Sequence, residues 1–73
     1  MIEVRLFATL RADREKIYRF PADGYQSVTD VIRELDIPAE EVALIIINGF
    51  HSKIDDGIKD GDVVSLFPPV AGG

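Results

Sequence analysis

Strand-like alternation near both ends of the chain, one helical stripe between them and the turn dipeptide Asn48-Gly49 predict an α+β domain. In it, one main helix packs on a mixed sheet in the order ββαββ. Seventy-three residues allow a single small domain. A chain of this size buries only about 60% of the surface its unfolded form exposes, so its core must be economical. A hydrophobic content of 47% supplies the material.

Residues 2–8 open the sheet. Ile2, Val4 and Leu6 alternate with Glu3, Arg5 and Phe7, the period of a strand with one buried face. The first set is expected to face the core, which leaves Phe7 on the opposite face. Residues 9–15 are polar and read as a turn. The returning strand, 16–20, puts Tyr18 and Phe20 on one face and Ile17 and Arg19 on the other, completing a hairpin.

Pro21-Ala22-Asp23-Gly24 is a turn by composition. Ser27-Val28-Thr29-Asp30 then resembles a capping box with Asp in place of Glu or Gln, and the Ser27 hydroxyl is expected to accept a bond from an early helical amide. Val28, Val31, Ile32 and Leu35 follow helical spacing and form one buried stripe. Pro38 disfavours helical geometry at Ile37, so the helix is expected to stop near Asp36.

The apolar run 43–47 ends at Asn48-Gly49, a strong hairpin signal, and a short return at 50–54 is consistent with it. Alternation does not say which side of Leu44, Ile45, Ile46 and Ile47 faces inward. Residues 55–62 superficially resemble a calcium loop but lack its alternating oxygen ligands and closing Glu. They read instead as two turns in which Gly57 and Gly61 supply positive φ and the aspartates bond local amides. The last strand is 63–67, with Val64 and Leu66 alternating against Val63, Ser65 and Phe67.

Composition narrows the function classes. The absence of cysteine excludes disulfides, thiolate metal sites and thiol nucleophiles. The net charge is −5, with +2 in residues 1–20 and −7 in residues 21–73, a balance that argues against a nucleic acid partner. Arg11, Arg14, Lys16 and Arg19 form a basic cluster, read as solvated hairpin charges rather than an anion site. No apolar run is long enough for a membrane helix and the first residues do not have a signal peptide's layout, so a cytoplasmic protein without membrane contact is expected. His51, the single histidine, has no evident catalytic companion and reads as a surface residue. No phosphate-binding loop precedes a Lys and Ser or Thr.

The ending carries the functional signal. After Leu66-Phe67, two prolines stiffen the chain and direct it away from the domain, and it closes on Val70-Ala71-Gly72-Gly73. The glycines carry no side chain, so a narrow channel can close on their backbone. Six extended residues, 68–73, reach about 20 Å. The chain is therefore divided into a domain, 1–67, and a flexible C-terminal tail, 68–73.

This ending, with the upstream Asp60-Gly61-Asp62-Val63-Val64, resembles the small subunit of molybdopterin synthase. That family belongs, with the thiamine thiazole carrier, to the ubiquitin-like sulfur carriers of β-grasp fold. The resemblance implies that the first and last strands lie parallel and adjacent in the middle of the sheet. It implies that Gly73 is the reacting residue: an E1-like enzyme uses ATP to adenylate its carboxylate, and a sulfur nucleophile then displaces the nucleotide to leave a thiocarboxylate. Pro68, Pro69, Val70, Ala71 and Gly72 would be inserted into the active site of a partner, the molybdopterin synthase large subunit, where sulfur is delivered to the pterin. Phe7 and Phe67 would form one exposed aromatic patch for docking, with Phe50 and His51 as possible extensions. The chain is thus expected to be a carrier and substrate rather than an enzyme, with no bound cofactor and no metal. A short chain and a trimmed hairpin suit a relative that serves a tungsten-containing enzyme or another sulfur pathway equally. A thiazole-type carrier, a ubiquitin-like modifier and an inert β-grasp interaction domain stay open as alternatives.

Overall fold

In a computed structural model, which describes residues 1–69, the expected alternation becomes a pattern of burial. Strand β1 (Ile2–Leu6) buries Ile2, Val4 and Leu6 completely and leaves Arg5 exposed. It pairs antiparallel with β2 (Ile17–Phe20) on one side. On the other side it pairs parallel with β5 (Val63–Phe67). The run of aliphatics forms β3 (Leu44–Ile47), antiparallel to β5, and the short return is β4 (Phe50–Ser52). The sheet order is β2-β1-β5-β3-β4, so first and last strands are neighbours at its centre.

Helix α1 (Val28–Glu34) covers one face through Val28, Val31 and Ile32, all buried against Val4, Leu6, Ile45, Val64 and Leu66 in one core. The register that alternation left open is set by pairing. Ile45 lies opposite Leu66 and is buried, so Ile45 and Ile47 share the helix side while Leu44 and Ile46 take the other face.

Three local expectations are corrected. The Ser27 side chain makes no capping bond. Its place is taken because Ser27 is bridged to Gly57, and the early helical amides of Thr29 and Asp30 already donate to the carbonyls of Ile54 and Ser27, at 3.0 and 3.1 Å. The Asp30 carboxylate does reach back as in a capping box, but to the Gln26 amide, 2.8 Å away. Second, the segment read as a polar turn is a 3₁₀ helix, Ala8–Arg11, that buries Leu10 to 2% exposure. Third, Gly61 has positive φ as expected, whereas Gly57 does not; its backbone is held by the bridge to Ser27.

The helix stops as expected, by a mechanism that requires no glycine. Asp36 adopts φ +57°, its amide donates to Arg33 and that of Ile37 to Ile32, a Schellman arrangement with buried Ile32 and Ile37 as its apolar pair. The Arg14 guanidinium also donates to the carbonyls of Leu35 and Asp36 at this end.

The loop before β5 is organised by Asp62, 5% exposed. Its carboxylate accepts from the Lys59 amide and from the Asn48 side-chain amide, at 2.9 and 2.8 Å, while Asn48 Oδ1 accepts from the Val63 amide. This clamp ties the β3–β4 turn to the start of β5. Asp62→Ala leaves those donors without their partner, and the expected loss is about 1–3 kcal/mol. The check is the urea midpoint, which should fall with an unchanged slope.

Candidate functional site

The central position of β5 fixes where the chain leaves the sheet. Phe67 lies opposite Leu44, its carbonyl accepts from the Ala43 amide at 2.8 Å, and Pro68 and Pro69 follow. The Phe7 amide donates to the Leu66 carbonyl at 3.2 Å, extending the parallel pairing one residue past β1. That pairing places Phe7 beside Phe67. Their rings stack with centroids 4.4 Å apart and planes 12° from parallel. Such a pair contributes about 0.5–1.5 kcal/mol beyond the area it buries.

The two rings, expected as an exposed patch, are half-buried. They cover one another, and the Arg11 guanidinium lies over Phe7, 5.3 Å from the ring centroid. Arg11 is held there by a bond from its Nε to the Leu6 carbonyl, 2.7 Å long. Ala8, at φ +52°, turns the chain into the 3₁₀ helix that brings Arg11 back over the ring. Beside the rings runs an open apolar groove of about 500 Å³ between Ala8, Ala43, Leu44, Phe67, Pro68 and Pro69.

Sequence reasoning placed Phe7 and Phe67 together but missed Arg11, Ala43 and Leu44. The signal for Arg11 was weak, because an arginine in a polar turn is ordinary. Leu44 was readable only once the β3 register was known. Of the two possible extensions of the patch, Phe50 pairs with Ile47 and so lies on the helix side of the sheet, 75% exposed. His51, opposite Ile46, is on the aromatic face, but on the edge strand and level with Ser65 rather than Phe67. The expected insertion residues Val70, Ala71 and Gly72, and the reacting residue Gly73, lie outside the described residues.

The basic cluster is dispersed. Arg11 and Arg14 donate to main-chain carbonyls, and Arg19 faces Glu3 across β1 and β2 at 3.4 Å. Glu3 also accepts from Arg5, and this hydrogen bond, assisted by the charges of Arg5 and Arg19, holds its carboxyl below the usual carboxylate range. A lowered folded pKa means that the contribution is present above the ordinary carboxylate pKa and is lost as pH falls through the folded one. Acid titration of Glu3→Gln should therefore show less loss of stability below pH ~4 than the parent, by a small margin because the pair is solvent-screened. Among the described residues, no group of three or more His, Asp or Glu side chains is arranged to hold a metal ion, and no helix is long and apolar enough to cross a membrane.

Comparison with known proteins agrees with this architecture. A relative from Haloferax volcanii, small archaeal modifier protein 3, is 35% identical over 99% of this chain and 98% of its own. The crystal structure of SAMP1 from the same organism matches with a TM-score of 0.73 at 26% identity, over 99% of this chain and 98% of that one. A chain in the complex of subunits 1 and 2 of molybdopterin-converting factor from Helicobacter pylori matches with a TM-score of 0.64 at 28% identity, covering 99% and 97%. These relatives are small ubiquitin-like carriers and modifiers of β-grasp fold, not catalytic enzymes. A sequence profile described as Mut7-C ubiquitin matches residues 1–72, and the chain accordingly belongs to the Mut7-C ubiquitin family.

Proposed function

We propose that this chain is a sulfur carrier whose reacting group is the carboxylate of Gly73. A free α-carboxyl ionises near pH 3.3–3.7, so at neutral pH it is a carboxylate and a poor electrophile. An E1-like partner activates it: a carboxylate oxygen attacks the α-phosphorus of ATP, pyrophosphate leaves and an acyl adenylate forms. Hydrosulfide then adds to the acyl carbon, the C–O bond to AMP breaks, and the thiocarboxylate remains. In the reading favoured here the sulfur goes to molybdopterin or tungstopterin synthesis. The tail would enter a large subunit, by analogy with the two-subunit Helicobacter pylori complex.

The observation that carries this reading is the exit of the chain. A central strand ends at Phe67 in a ring stack with Phe7 and continues directly into Pro68-Pro69, so an anchoring surface and the root of the tail are contiguous. A protein modifier, in which Gly73 ends in an isopeptide bond to a lysine, is the second reading. It is favoured by the 35% identity to a small archaeal modifier protein.

Phe67→Ala tests the anchoring surface. It should leave the fold intact and weaken binding to the activating enzyme or large subunit by about 2 kcal/mol or more, near 30-fold. Calorimetry with either partner checks this, and unchanged binding would remove the aromatic pair from the interface. The activation step is tested by ATP–pyrophosphate exchange with the E1-like enzyme of the same cells. Exchange dependent on this chain supports both readings. Release of sulfide from the product, against branched conjugates in lysate, separates them.

A further inference from the structure

A second groove lies between α1 and β2. It encloses about 650 Å³ and shares no lining residue with the groove at Phe67. Its apolar lining is Ala12, Tyr18, Phe20 and Leu35. The Tyr18 and Phe20 rings lie 5.9 Å apart and nearly parallel, and Phe20 continues onto Tyr25 at 5.0 Å.

One wall of this groove is a strand with a free edge. Among the described residues β2 pairs with β1 alone. The Leu6 amide donates to the Lys16 carbonyl, and antiparallel alternation then turns the main-chain groups of Tyr18 and Phe20 toward β1 and those of Ile17 and Arg19 outward. Among the described residues no strand lies on that outer side. A row of unpaired donors and acceptors beside an aromatic floor is what an added strand requires.

The rim decides the occupant. Asp13, Glu34 and Asp36 contribute three carboxylates. The single basic lining residue, Arg14, has its guanidinium engaged by the carbonyls of Leu10, Leu35 and Asp36. Pairing of β2 with the same strand of a second copy would set two such acidic rims against each other, in chains that each carry a net charge of −5.

We propose that the β2 edge and the α1–β2 groove bind an extended peptide segment bearing basic side chains, which joins the sheet outside β2. Main-chain bonds to Ile17 and Arg19 hold the segment. Alternate side chains rest on Tyr18, Phe20 and Leu35, and flanking lysines or arginines meet Asp13, Glu34 and Asp36. The surface leaves Phe7, Phe67, Pro68 and Pro69 uncovered.

The test is an amide NMR titration of the full chain with a capped synthetic peptide of alternating valine and threonine carrying lysines at both ends. Shifts are expected at Ile17, Arg19 and Glu34, with a dissociation constant on the order of 0.1–1 mM. The same peptide with glutamates in place of the lysines should bind at least ~5-fold more weakly, and Glu34→Lys should lower affinity for the lysine peptide by a similar factor. N-methylation of alternate peptide amides should abolish the shifts at Ile17 and Arg19. Absence of shifts, equal binding of both peptides, insensitivity to N-methylation, or dimerisation through Ile17 would each overturn the proposal.

Discussion

A chain lacking Gly72 and Gly73 is expected to fold as the full chain does and to form no acyl adenylate with its activating enzyme. Among the described residues, the last fully buried side chain is Leu66 and the last strand ends at Phe67, so the core described lies upstream of the deletion. Thermal melting should therefore be unchanged. The truncated carboxylate belongs to Ala71, which carries a methyl group where a narrow channel would meet bare backbone. It also falls short by two extended residues, about 7 Å. A misplacement of about 1 Å from reacting geometry already costs on the order of 10²-fold in rate, so activation should drop by at least that factor. Truncated protein that exchanges pyrophosphate at the parent rate would show that Gly73 is not the reacting residue.

Leu66→Ala should have the opposite signature, a severe loss of stability with the tail chemically unaltered. Leu66 is fully buried at the sheet's centre, paired with Leu6 on one side and Ile45 on the other. Buried Leu→Ala changes cost about 2–5 kcal/mol, because the vacated space collapses only in part. At roughly 0.05–0.15 kcal/mol per residue, a domain of this length holds only about 4–11 kcal/mol in total. The variant should melt at least about 10 °C below the parent. Leu44→Ala, the change at a partly exposed position on the other face of the sheet, should cost less than half as much. Equal losses at the two positions would contradict the division of faces described here.

The sheet was legible where burial has a period of two. Ile2, Val4 and Leu6 read as inward-facing, Val64 and Leu66 as one face of the last strand, and all of them are buried to completion. It was not legible where both faces are apolar: β3 needed its pairing with β5 before Ile45 could be set inside and Leu44 outside. Neighbour relations between distant strands have no signature in alternation, and the parallel β1–β5 pair was inferred from resemblance alone. Leu10 escaped notice because a single leucine inside a polar segment has no periodicity to support it. Ser27 illustrates the opposite error, in which a sound local rule lost to the Thr29 amide's bond to the Ile54 carbonyl and the bridge to Gly57. At the candidate site, alternation set Phe7 opposite the core residues and Phe67 opposite Val64 and Leu66, and the resemblance supplied their neighbourhood, but Arg11 over Phe7 depends on a 3₁₀ turn that no residue pattern announced.

The most direct test of the carrier reading is intact mass spectrometry of untagged protein purified anaerobically from its own cells. A population heavier by the exchange of one oxygen for sulfur is expected, with fragmentation assigning the change to Gly73. A single unmodified mass, persisting after incubation with ATP, a sulfide donor and the host's activating enzyme, would contradict it.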